Sequence, residues 1–63
     1  MTVELIEISS RGTKTQRWRY WSRDVAMARV TALFVQYPMA DAEERSTPYG
    51  PAVTLTVDHG IVD

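Results

Sequence analysis

The sequence contains no cysteine in its 63 residues. That excludes disulfide stapling, thiolate ligation of zinc and a thiolate nucleophile. Histidine occurs once, at His59. Long apolar runs are missing too; none approaches the ~18 residues of a membrane span. The start Met1-Thr2-Val3-Glu4 has neither the basic nor the apolar region of a secretory signal. The recurring motifs of catalysis are also absent. There is no G-x-G-x-x-G, no P-loop and no nucleophile elbow. Asp58 and His59 are adjacent, but strand neighbours point to opposite faces, so adjacency alone makes no dyad. No internal repeat is present. The chain therefore reads as one small cytoplasmic domain over residues 1–63, complete in itself, non-enzymatic, with no cofactor, metal or membrane span. A domain this short buries only roughly 60% of the surface its unfolded chain exposes, so its core is thin.

Residues 2–9 are rich in β-formers and read as a strand. Residues 15–21 alternate polar and aromatic and read as a second strand. The polar stretch between them holds Gly12 and forms an antiparallel hairpin. A loop of even length, such as Arg11-Gly12, pairs Leu5 with Trp18 and Val3 with Tyr20. Val3, Leu5, Trp18 and Tyr20 then share one face, and Glu4, Ile6, Ile8, Arg17, Arg19 and Trp21 share the other. A loop of odd length moves Ile6 and Ile8 onto the Trp18 face. Both registers stay open at this level.

Ser22 is placed to cap a helix over 23–37, with Asp24 in its first turn and Pro38 as its stop. Ala26, Val30, Leu33, Phe34 and Tyr37 form a core-facing stripe. Val25, Ala28, Ala32 and Val35 form a second stripe of small residues, a candidate homodimer face. The three prolines all lie in 38–51, which reads as a long loop. Residues 52–58 alternate cleanly, with Val53, Leu55 and Val57 inward. His59-Gly60 bends the chain, and Ile61-Val62-Asp63 is a tail or a short continuation.

The expected order is ββαβ. A right-handed crossover through the helix makes the last strand parallel to the second. Placed beside the first strand, it completes a three-stranded antiparallel sheet in the order 2-1-3. With the helix on one face, the result is an α+β two-layer sandwich. The other face has no cover.

The net charge of −1 conceals a bipolar chain. Residues 1–36 carry +3 and residues 37–63 carry −4. Bipolar layouts favour steering toward a protein with complementary patches. Generic nucleic-acid binding instead needs a basic surplus. Two surfaces are candidates for partner binding. One is the open sheet face with Glu4, Arg17, Arg19 and Trp21, whose mixture of Arg, aromatic and aliphatic residues suits an interface hot spot. The other is the loop with Asp41, Glu43 and Glu44, able to imitate phosphates, and Tyr49 between two prolines. The same carboxylates lack the alternation and glycine of an EF-hand loop. Arginines with interleaved aromatics also suit single-stranded nucleic acid, but Trp18 and Tyr20 point away from Arg17 and Arg19.

In size, ββαβ plan and bipolar charge, the chain resembles the small inhibitors made by phages and mobile elements, of the anti-CRISPR type. That resemblance implies a protein that binds a host nucleoprotein complex stoichiometrically and blocks its nucleic-acid site or assembly; the expected oligomeric state is a monomer or homodimer. It carries over no individual residue. The runner-up reading is a single-stranded nucleic-acid-binding protein that uses the Arg/Trp hairpin.

Overall fold

A computed structural model describes residues 1–62. The chain runs β1 (Thr2–Ser9), β2 (Gly12–Arg19), α1 (Arg23–Gln36), β3 (Asp41–Thr47) and β4 (Gly50–Asp58). The fold class is α+β, but the sheet is not the three-stranded antiparallel one. It has four strands in the order β2-β1-β4-β3. β1 pairs antiparallel with β2 and parallel with β4, and β3 pairs antiparallel with β4.

One strand accounts for the difference. The segment read as a loop over 38–51 contains β3 and a tight turn. The chain leaving α1 lands first on β3, at the far edge, which runs in the same direction as β2. It then reverses into β4. That extra reversal makes β4 parallel to β1, where a direct landing would have made it antiparallel. The ββαβ plan is thus corrected to ββαββ.

The first hairpin also differs in detail. Ser9 pairs with Gly12, so the loop is Ser10-Arg11, and Val3 lies opposite Trp18 while Leu5 lies opposite Gln16. The pairings Leu5–Trp18 and Val3–Tyr20 are off by two residues. The loop is still even, so every side chain keeps the face expected for an even loop. β2 ends at Arg19 rather than residue 21, and Tyr20 N donates to Met1 O at 2.9 Å. Gly12 sits at φ +128°, a region that favours glycine.

Ser22 caps α1 as its sequence implies, its side chain accepting from Asp24 N at 3.2 Å. The helix closes at Gln36, with Tyr37 as C-cap donating its amide to Leu33 O. Ala26, Val30 and Leu33 are buried against Val3, Leu5, Val53, Leu55 and Val57, with Ala40 completing the cluster. Val25, Ala28, Ala32 and Val35 face solvent. Past β4, His59 N donates to Ile8 O at 2.7 Å and Ser10 N to Gly60 O at 2.9 Å, so the chain stays beside the end of β1. Asp63, the last residue of the expected tail, lies outside the described residues. Among the described residues, no helix is long and apolar enough to cross a membrane. The shortest extent of the Cα trace is 15 Å, the thickness of one sheet under one helix.

Candidate functional site

Strand alternation and register together lay out the face opposite the helix. Read from β2 to β3, its rows begin at the end where β1 starts. The first row is Arg19, Thr2, Ala52 and Arg45. The second is Arg17, Glu4, Thr54 and Glu43. The third is Thr15, Ile6, Thr56 and Asp41. The fourth holds Thr13, Ile8 and Asp58. The face is therefore basic at one end and turns apolar and acidic toward the other.

Glu4 is the only buried charged residue among the described residues, at 7% exposure. Burying a carboxylate is costly unless it is paired and hydrogen-bonded. Here Arg17 Nε donates to Glu4 Oε2 at 2.5 Å. Arg45 Nη2 approaches Oε1 at 3.7 Å, and Thr54 Oγ1 donates to Oε1 at 3.5 Å. One carboxylate thus serves two guanidiniums from the two edge strands of the sheet. Arg19 has no carboxylate partner among the described residues.

The basic end is walled by aromatics. Trp21, just beyond β2, is fully exposed, and Tyr49, in the β3–β4 turn, is 94% exposed. Both line a cavity of about 370 Å³ whose floor includes Thr2 and Arg19. A second cleft of about 250 Å³ adjoins it across Thr2, Arg19 and Tyr49, and reaches Arg17, Glu4 and Arg45.

The residues singled out from sequence therefore separate. Glu4, Arg17, Arg19, Trp21 and Tyr49 gather at one end of the open face. Asp41 and Glu43 lie on the same face, along its β3 edge. Glu44 is on the helix face, where Arg23 Nη1 donates to Oε1 at 2.7 Å. That bond, and then the charge attraction, hold the Glu44 carboxyl below its ordinary value and the Arg23 guanidinium above its own. The three acidic residues consequently do not converge. Among the described residues, no group of three His, Asp or Glu side chains is placed to hold a metal ion.

Sequence reasoning missed two features. Arg45 joins the basic end only because β3 is a strand; its position across from Ala52 had no signal of its own. At the other end of the molecule, His59 Nε2 lies 3.2 Å from Glu7 Oε1, with the Tyr37 ring edge-on at 6.2 Å between centroids. Glu7 and His59 are far apart in the chain and meet through the β1–β4 register. Trp18 and Tyr20 do turn toward the helix. Arg29 stacks over the Trp18 ring at 5.0 Å and its Nε donates to Tyr20 Oη at 2.8 Å. They brace α1, and Tyr20 also lines the cavity beside Trp21 and Tyr49.

No protein-family model, curated protein or solved structure matches this chain.

Proposed function

We propose that this chain is a non-enzymatic protein-binding module, an inhibitor or regulator of a larger host nucleoprotein assembly, and that the open sheet face is its interface. The observation that carries the reading is the gathering of fully exposed Trp21 and Tyr49 with Arg17, Arg19 and Arg45 on the uncovered side of a two-layer fold. Trp, Tyr and Arg are the residues that dominate binding energy at protein interfaces. In solution, exposing two large aromatics beside a cationic cluster gives the isolated chain no stability. The size and charge layout shared with inhibitors of the anti-CRISPR type support an assembly as the partner. The shared plan no longer does, because the element order is ββαββ.

The test is co-purification of the tagged chain from its host. Trp21→Ala and Arg19→Glu are expected to lose the partner while circular dichroism stays unchanged. Full retention of the partner by both variants would sink the reading.

A second reading, single-stranded nucleic-acid binding, gains one observation. Trp21 and Tyr49 line the same cavity as Arg19, so stacking and phosphate contacts are available together. It predicts binding to single strands that weakens steeply with salt. A flat anisotropy titration at low salt excludes it.

A further inference from the structure

We infer that the basic end of the open face takes an acidic, extended segment of the partner protein, with carboxylates on Arg19 and Arg45 and an apolar side chain between them against Trp21 and Tyr49. This rests on the protein-binding reading above and names the chemistry of its partner.

The basic end carries a local surplus of positive charge. The two rows nearest this end hold Arg19, Arg45 and Arg17 against Glu4 and Glu43. Glu4 is already shared between Arg17 and Arg45, and Arg45 touches it only at 3.7 Å. The guanidiniums of Arg19 and Arg45 therefore keep N–H donors turned to solvent. A guanidinium fork matches a carboxylate. This surplus sits in a chain whose net charge is −1, so it is a local feature.

The spacing of the arginines suits an extended peptide. Arg19 and Arg45 occupy the two edge strands of one row, three strand intervals apart. At 4.7–4.9 Å each, that is about 14 Å. An extended chain advances roughly 3.3–3.6 Å per residue, so a segment crossing the row covers the distance in about four residues. Side chains two apart share a face of an extended segment. Acidic residues four apart, with an apolar one midway, therefore all point down onto the row. The two adjoining cavities form the trough that receives them.

The acidic part of the same face favours a peptide over a nucleic acid. Beyond the second row the face carries Asp41 and Asp58, with Glu43 on its rim. A phosphodiester strand brings a charge with every nucleotide and cannot confine it to one row. A peptide can.

The probe is a blocked peptide, Ser-Glu-Ser-Leu-Ser-Glu-Ser, titrated into the full chain and followed by amide and indole NMR shifts, which register millimolar binding. The expected result is saturable shifts at Thr2, Arg19, Trp21, Arg45 and Tyr49. Arg19→Glu should weaken the binding at least about tenfold and Arg19→Lys less, because lysine keeps the charge and loses the fork. The lysine-for-glutamate peptide and a thymidylate oligomer of matched length should bind more weakly. Absence of saturable shifts, equal binding of the lysine peptide, or tighter binding of the oligomer would overturn the inference. If the co-purified partner is lost on Trp21→Ala while the acidic peptide leaves the spectrum unmoved, only this inference fails. If the partner is retained by both face variants, the protein-binding reading fails with it.

Discussion

Glu4, buried at the basic end of the exposed sheet face, accepts from Arg17 Nε at 2.5 Å and shares its other oxygen with Arg45 and Thr54. The pair has two consequences of opposite sign. Glu4→Ala removes the acceptor and leaves three cations on adjacent rows. Hydrogen bonds to charged groups contribute about 1.5–3 kcal/mol, and Arg17 is largely solvent-exposed, so the loss should fall near the lower bound. A urea melt reads it as a lowered midpoint. Glu4→Gln keeps the shape and should lose less. Both variants should bind the acidic peptide more tightly than the parent, because they free the guanidiniums. A variant that is less stable and also binds less tightly would contradict the role given to Glu4.

The core makes a simpler statement. Leu55 is fully buried on β4 beneath α1, whereas Ile8 lies on the open face and is half exposed. Leu55→Ala should cost about 2–5 kcal/mol, and in a domain this small that approaches its whole stability. Ile8→Ala should cost well under half as much. Thermal melts of the two variants check the contrast. Similar losses would mean that the open face is packed against something in solution.

The two hairpins turn the same way. Ser9 Oγ donates to Gly12 O at 3.4 Å and accepts from Arg11 N at 3.2 Å. Thr47 Oγ1 donates to Gly50 O at 2.7 Å and accepts from Tyr49 N at 3.2 Å. Each turn ends on a glycine of positive φ, +128° and +113°. A Cβ at either glycine meets nothing within 4 Å, so the penalty of Gly12→Ala or Gly50→Ala is backbone strain alone, about 1–2 kcal/mol each. The shorter Thr47 bond makes Thr47→Ala the more damaging of the two hydroxyl deletions. Equal melting points for Gly12→Ala and the parent would show that the first turn relaxes freely.

These turns also show where the sequence is legible. Ser-Ser-Arg-Gly and Thr-Pro-Tyr-Gly have the same spacing, and Pro48 suits the second position of a turn. That was the one available sign of β3. Hydrophobic alternation appears when a strand buries one face, as β4 does with Val53, Leu55 and Val57. β3 is an edge strand exposed along almost its whole length, so Asp-Ala-Glu-Glu-Arg-Ser-Thr has nothing to alternate. With β3 unseen, the landing point of the crossover and the direction of β4 were both misplaced. The face of Glu4, Arg17 and Arg19 was legible for a different reason. Period two is unchanged by a register shift of two, so the wrong partners still gave the right side. Arg45 and Tyr49 could join that group only once β3 and its turn were in place.

Arg23 and Glu44 tie the start of α1 to β3 across the helix face. The Arg23 hydrogen bond and charge lower the Glu44 carboxyl from its ordinary value of 4.5. A depressed folded value means that the unfolded chain takes up the proton first as pH falls. The contribution is therefore present above pH 4.5 and is lost as pH falls through the folded value. Both side chains are exposed, so the effect is small and screened by salt. Thermal melts from neutral to acid pH should show a shallower decline for Glu44→Gln than for the parent at low salt, and the same decline at high salt. A difference that survives high salt would place the pair in a drier setting than its exposure indicates.

Tyr37 titrates at the opposite end of the scale. Its phenol is raised above 10.0, first by hydrogen bonding with Glu7, then by burial and by the repulsion a phenolate would meet from the same carboxylate. Glu7 also meets His59 at 3.2 Å, so one carboxylate joins the end of α1 to the chain beyond β4. A raised folded value means that the unfolded chain loses its proton first. The stabilisation is fully present below pH 10 and is lost as pH rises through the folded value. Carbon NMR of the Tyr37 ring across alkaline pH should place its midpoint above 10, and Glu7→Gln should bring it down by removing the charge while keeping the shape. His59→Ala should leave the tyrosine midpoint near the parent's, because the imidazole meets the ring edge-on and it is Glu7 that acts on the phenol. A midpoint that follows His59 instead of Glu7 would assign the end of the helix to the imidazole and remove the carboxylate from its central place.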